Sequence, residues 1–198
     1  MNVSIIIPRI KGKREKIFKE ALASIKEQVE KPIEVIVMDK DENQRKKINQ
    51  GVAKSKGDAF VVFCDDDILD PTYIKKTANV MRETNADIVG TALETFGNRK
   101  EIHMFHIIPF GTCLIRKSIW KKVGGYDEKI LGGGDHDFLI MALHNGAKVE
   151  RIAEPLLKYR IHDDNWSNRI NWKKINKERE SKYKKLGVDY KSYGITFD

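Results

Sequence analysis

Cysteine is scarce in this chain. Only Cys64 and Cys113 occur among 198 residues, far apart and with no metal-type spacing. A disulfide framework and a cysteine-rich zinc site are thereby excluded, and a reduced interior is expected. No run of about eighteen apolar residues exists, which excludes a membrane-spanning helix. With five prolines and fourteen glycines, the composition is neither low-complexity nor collagen-like, and no internal repeat is visible. No basic leader precedes the apolar stretch at the N-terminus, so that stretch is expected to be a first strand, not a signal peptide. These absences together predict a cytoplasmic protein, and the two Asn-x-Ser matches at Asn2 and Asn165 then read as chance.

Charge is what the sequence has in excess. The formal net charge is +8, a balance that favours anionic partners such as nucleic acid, a membrane surface or phosphate-bearing substrates. From Arg169 to Asp198 there are seven lysines and two arginines against two glutamates and two aspartates, a net of +5. The excess is therefore mostly a property of the tail. The expected organisation is one domain over residues 1–165 and a basic helical tail over 166–198. Ile170, Trp172, Ile175, Tyr183 and Leu186 recur among the tail lysines. Such a helix either lies on an anionic leaflet, giving a peripheral membrane contact, or packs on the domain with its charges in water.

Val3–Pro8 is a continuous apolar run closed by proline, as a buried parallel strand requires. Residues 13–29 carry Ile17, Phe18, Ala21, Leu22, Ile25 and Val29 at helical spacing, and Pro32 ends the helix. A second strand, Ile33–Met38, runs into Asp39. A basic helix over Gln44–Lys56 follows, and Arg45, Lys46 and Lys47 on it either steer a diphosphate or form a solvated face. A third strand, Ala59–Phe63, runs into Asp65-Asp66-Asp67. A helix opens at Pro71, and Asp87–Thr91 is a fourth strand. Beyond it, His103–Ile115 predicts one or two strands, Arg116–Val123 a short helix, and Gly132-Gly133-Gly134 a mobile loop leading through Asp135-His136-Asp137 into a helix. Val149–Ile152 and Leu156–Ile161 predict two short strands. His103 and His106 fall on opposite sides of their strand and read as structural or acceptor-side.

Strands alternating with helices predict an α/β, Rossmann-type, mostly parallel sheet flanked by helices. Sheets of this kind bind ligands beyond the carboxyl ends of their strands, and here those ends carry Pro8, Asp39 and the aspartate triplet. Three adjacent carboxylates repel one another unless a cation relieves them. Hard divalent ions, Mg²⁺ or Mn²⁺, take such oxygen ligands and bridge to phosphates. The alternative is an acidic turn before the Pro71 helix.

The ordered set of segments resembles family-2 glycosyltransferases of the GT-A fold. Val3-Ser4-Ile5-Ile6-Ile7-Pro8 resembles the opening strand of that family, and Glu34-Val35-Ile36-Val37-Met38-Asp39 the second. Asn49-Gln50-Gly51-Val52-Ala53, Lys56-Gly57-Asp58, the triplet and Ile68-Leu69-Asp70-Pro71 follow in the family's order. Val123-Gly124-Gly125-Tyr126-Asp127-Glu128 is similar to its acceptor-side segment. Asp135-His136-Asp137-Phe138 is similar to its "ED" motif and Tyr159-Arg160-Ile161-His162 to its closing Arg-x-His element. The resemblance implies that Pro8, Asp39, Arg45, Asp65 and Asp66 contact a nucleotide-sugar, with Asp39 accepting a hydrogen bond from the nucleobase. It implies Mn²⁺ or Mg²⁺ held by Asp66 or Asp67 with His162, and Asp135 as the base of an inverting transfer. Asp135 also reads as a helix N-cap. The chain departs from the family at Lys40-Asp41-Glu42, at Arg9-Ile10-Lys11, and at Gly134 where the family has Glu. The Gln-x-x-Arg-Trp element of processive synthases is absent. The implied donor is a UDP-sugar ahead of dTDP- or GDP-sugars, with a glycan, lipid-linked or protein acceptor and no nucleic acid. Two other readings compete: a nucleotidyltransferase, for which Gly12-Lys13-Arg14 is a thin match to a phosphate loop, and a catalytically degenerate nucleotide-sugar-binding module.

Overall fold

All six residues of β1 (Val3–Pro8) are buried, so the strand is covered on both faces, as its unbroken apolar sequence demands. Its odd-numbered side chains Val3, Ile5 and Ile7 pack with Phe18, Ala21 and Ile25 of α1 (Glu15–Lys26) and with Ile74, Ala78 and Met81 of α3 (Tyr73–Thr84). On the other face Ile6 joins Ile48 and Val52 of α2 (Gln44–Lys54), Ile119 of α4 (Lys117–Val123) and Phe138 and Leu139 of α5 (Gly134–His144). The period-2 strand and the i, i+3, i+7 stripe Phe18–Ala21–Ile25 thus meet in one core layer. Burial of each large side chain there contributes about 1.5–3 kcal/mol.

The structure is a computed structural model. It describes the chain except residues 11, 13, 41, 99, 104–111 and 197–198. β1 pairs in parallel with β2 (Glu34–Met38) on one side and β3 (Ala59–Val62) on the other. The full order is β2-β1-β3-β7-β5-β8-β4, with β6 (Ile102–His103) on β5, where β4 is Ile68–Leu69, β5 Ile88–Gly97, β7 Leu114–Arg116 and β8 Val149–Ile161. The long pairings are parallel and the short ones, β3–β7, β5–β7, β4–β8 and β5–β6, antiparallel. Because β7 lies antiparallel between β3 and β5, strands β1, β2, β3, β5 and β8 all finish at the same edge of the sheet. This is a mixed α/β sheet flanked by helices, the class expected from the sequence.

Several elements differ in extent from the sequence reading. β8 is one strand, not two. It passes through Pro155 because the register with β5 shifts between Thr91 and Leu93, and such a bulge accommodates a residue with no N–H to give. β5 runs on to Gly97, well past Thr91. β4 is two residues long and leaves no periodic trace. The His103–Ile115 stretch supplies β6 and β7, and His106 lies outside the described residues.

The C-terminal segment forms a 3₁₀ turn at Trp166–Arg169 and then α6 (Trp172–Leu186). Ile175, Arg179 and Tyr183 of α6 are buried, with Tyr183 clustering on Ile140 of α5 and on Val188 and Ile195. The inner stripe of this basic helix is therefore turned onto the domain. Among the described residues no helix is long and apolar enough to cross a membrane.

Candidate active site

The shared strand edge gathers the predicted polar groups. β1 ends at Pro8 and continues into Arg9, only 7 % exposed, whose guanidinium lies 3.8 Å from the centre of the Phe18 ring and 2.7 Å from Glu15 Oε1. β2 hands over to Asp39, which is exposed. β3 leads through Phe63 and Cys64 to the three aspartates, all of them buried. β8 delivers Arg160 and His162 beside them.

The three carboxylates are held differently. Asp65 Oδ1 accepts from Arg14 Nη2 at 2.8 Å, while its buried Oδ2 has no hydrogen-bond partner. Asp66 Oδ2 accepts from Arg14 Nη1 at 2.6 Å and stands 3.1 Å from His162 Nε2. Asp67, at 1 % exposure, accepts the Arg160 backbone N–H through Oδ1 at 3.0 Å. Arg160 also donates from Nε to the Asp66 carbonyl and from Nη2 to Glu20, bracing the turn. The Asn165 carboxamide accepts the His162 N–H at 2.6 Å and donates to the Arg160 carbonyl at 3.0 Å, which fixes the corner carrying the imidazole. Burial raises the pKa of Asp65, against which Arg14 pulls it down. Burial, and then the neighbouring Asp66, push Asp67 well above the carboxylate range.

Whether these residues suit a divalent cation is decided by the spacing of their donor atoms. Two ligands at about 2.1 Å on adjacent octahedral corners stand about 3 Å apart, and the oxygen–nitrogen pair of Asp66 and His162 meets that spacing at 3.1 Å. Cys64, Asp66 and Asp67 also bring ligand atoms within 4.8 Å of one another. Burial, followed by the charges of Asp67, Asp66, Asp65 and Asp135, drives the Cys64 thiol far from ionisation. Since the thiolate is the ligating form, Cys64 is the weakest member of that group. The site fits a hard cation on Asp66 and His162, with Asp67 behind them.

Asp135 sits in the first turn of α5, exposed and at the positive end of the helix dipole. The N-cap is Gly133, in the left-handed region at φ 62°, so Asp135 is not the cap. Its charge is felt by Arg45, Cys64, Cys113 and Tyr126. Asp137, by contrast, is 1 % exposed and tied to Lys182 Nζ at 2.8 and 2.9 Å and to the Tyr183 hydroxyl at 2.9 Å. It anchors α6.

The glycine run is a set of close contacts where the sequence suggested a mobile loop. A Cβ on Gly132 would stand 2.7 Å from Ile170, one on Gly133 3.0 Å from Arg179, and one on Gly134 would run into Arg45 Nε. The tail and α2 thus close on the N-terminus of α5 from two sides. The place into which a side chain at position 134 would project is taken by the Arg45 guanidinium. Arg45 is 7 % exposed, burial lowers its pKa, and its side chain donates to Gln44 Oε1 at 3.0 Å. Of its neighbours on α2, Lys47 donates to the Arg9 carbonyl at 2.8 Å and Lys46 pairs with Glu42 at 3.3 Å.

Three groups at the site were not singled out by sequence. Arg14 and Glu20 sit in the helix expected over residues 13–29, and Arg14 enters otherwise only in the thin Gly12-Lys13-Arg14 match. Asn165 reads as a chance glycosylation match, and its bond back to the His162 N–H is visible only in the structure.

A curled α/β sheet with carboxylates gathered at its strand ends is the GT-A glycosyltransferase fold. The solved structures agree. S. aureus TarS (residues 1–349) in complex with UDP-GlcNAc superposes with a TM-score of 0.72 at 14% identity, over 86% of this chain and 61% of that one. The complex of the same protein with UDP gives 0.69 at 14% identity, over 81% and 61%. The family model "Glycosyl transferase family 2" matches residues 40–140, and the chain belongs to that family. An uncharacterized glycosyltransferase of Methanocaldococcus jannaschii is 30% identical over 180 residues, covering 79% of this chain. The chain spans 61% of that relative's length.

Proposed function

We propose that this chain binds a nucleotide-diphosphate sugar, a UDP-sugar in first place, and transfers its sugar with inversion to an acceptor hydroxyl. The observation that carries the reading is the convergence of Asp65, Asp66 and His162 at the sheet edge, where β2 also ends in Asp39. That TarS was solved with UDP and with UDP-GlcNAc supports the choice of base.

Each residue has a task in this reading. Asp39, exposed beyond Pro8 and β2, accepts from the N3–H of uracil. Asp65 Oδ2, which makes no hydrogen bond and faces Arg9 Nε only at 3.9 Å, takes a ribose hydroxyl as its donor. Asp66 and His162, with Asp67 in support, would hold Mn²⁺ or Mg²⁺. Such an ion, when bound, neutralises charge on the leaving diphosphate. Arg45, a nearly buried cation at the N-terminus of α2, faces the same anionic group. Asp135 accepts the proton of the acceptor hydroxyl as that oxygen bonds to the anomeric carbon from the face opposite the phosphate. The sugar–phosphate bond breaks as the new one forms, and its electron pair leaves on the nucleoside diphosphate. The acceptor is a glycan, lipid-linked or protein hydroxyl. The burial of Ile175 and Tyr183 against the domain leaves α6 less apolar surface for a membrane.

The test is release of nucleoside diphosphate from a panel of UDP-, dTDP- and GDP-sugars by the wild type and by Asp135→Asn. Turnover with one donor, lowered about 10²–10⁴-fold in the variant with donor affinity kept, supports the reading. Tight donor binding without turnover in either protein would leave only a binding module, for which Gly134 in the "ED" position is the supporting observation.

A further inference from the structure

Arg14 occupies the point on which Asp66 and His162 converge. Its Nη1 is 2.6 Å from Asp66 Oδ2 and 3.4 Å from His162 Nε2, and its Nη2 is 2.8 Å from Asp65 Oδ1. One guanidinium therefore faces a metal-type oxygen–nitrogen pair and the carboxylate beside it. We propose that Arg14 is a built-in competitor for the divalent cation, seated in the metal position when no donor is bound and displaced when metal and diphosphate enter. The inference rests on the metal-dependent reading above and deepens it.

Two contrasts argue for a displaceable group over a permanent stand-in. Arg9, from the same loop, is 7 % exposed, stacked on Phe18 and paired with Glu15. The Arg14 side chain is 25 % exposed, and besides the two aspartates and His162 it has no hydrogen-bonding partner among the described residues. Its backbone lies at φ 56°, ψ 37°, the left-handed region that a non-glycine residue rarely adopts, and it supplies no side-chain cap to the helix it precedes. Gly12, two residues earlier, is at φ 79° with nothing within 4 Å of where a side chain would stand, so there is open space beside the loop. The carboxylates need a cation in either state, because Asp65 and Asp66 are buried next to each other. Arginine supplies it in the empty site. A divalent ion that also binds phosphate supplies it in the loaded one.

The competition has a sign that a purely structural arginine would not give. With Mn²⁺ alone, and free ion followed by electron paramagnetic resonance, Arg14→Gln should bind Mn²⁺ at least about fivefold more tightly than wild type, the lower end of coupling between two linked ligands. Arg14→Lys keeps a charge in reach and should stay near the wild-type affinity. Asp66→Asn should weaken binding in either background. Without metal, Arg14→Gln should melt lower than wild type, and saturating Mn²⁺ should close the gap. Equal or weaker Mn²⁺ binding by Arg14→Gln, with Asp66→Asn still impaired, would overturn the competitor role and leave the metal site standing. Absence of Mn²⁺ binding in wild type and Arg14→Gln alike, with UDP still bound, would overturn the metal reading and this inference together.

Discussion

Asp66 Oδ2 and His162 Nε2 stand 3.1 Å apart although 96 positions separate them in sequence. The contact exists because β3 and β8 finish at the same edge, and because Asn165 and Arg160 hold the corner after β8 against the aspartate turn. Replacing His162 with Ala removes one ligand and leaves Asp66 in place. Mn²⁺ affinity is expected to fall by about tenfold or more, by the scale of losses around metal sites, while thermal stability without metal changes little. Direct titration of Mn²⁺ measures the first effect and thermal denaturation of the metal-free protein the second.

Asp67 makes a pH prediction. Its carboxyl is raised well above the usual range by burial and by Asp66, so the folded state holds a proton that the unfolded chain has released. Its contribution therefore favours the fold at low pH and is lost as pH rises through the raised pKa. Asp67→Asn abolishes that titration and can still accept the Arg160 N–H. Relative to wild type the variant should be equally stable near pH 4 and more stable at pH 7. Urea denaturation at both pH values, without metal, measures the difference.

Gly134 makes a packing prediction. A methyl group there would meet the Arg45 guanidinium, and because that side chain end can shift, Gly134→Ala should cost about 1 kcal/mol, the low end for overpacking. Combining it with Arg45→Ala removes the clash. The double variant should lose less than the sum of the single losses, and a double-mutant cycle by denaturation quantifies the coupling.

Lys182 carries the anchor of the tail helix. It sits on Asp137 at 2.8 Å and on Asp127 at 2.9 Å. Lys182→Met leaves Asp137 buried with the Tyr183 hydroxyl as its remaining partner, at a cost of about 3–5 kcal/mol. Lys173→Ala, on the exposed side of the same helix, should stay within about 0.5 kcal/mol of wild type.

The strand edge was legible because parallel strands buried on both faces leave continuous apolar runs, and the residue ending each run is then marked. Pro8, Asp39 and Asp65–Asp67 stood out for that reason. The glycine run was legible as a feature but not in its role. Contact with Ile170, Arg179 and Arg45 is a tertiary fact, and glycine reads the same whether it gives freedom or room. Asp137 fell within the segment similar to the "ED" motif, and its structural role was hidden because its partners lie 45 and 46 positions onward. Arg14 showed only as the end of the thin Gly12-Lys13-Arg14 match, and nothing in the sequence tied it to Asp65 and Asp66, since only the fold brings them together.

The measurement closest to the centre of this account is calorimetric titration of UDP into wild type and Asp66→Asn, each with and without Mn²⁺. The account predicts binding to wild type that strengthens markedly with Mn²⁺, and a variant in which the metal no longer matters. UDP binding of equal strength with and without Mn²⁺ in both proteins would contradict it.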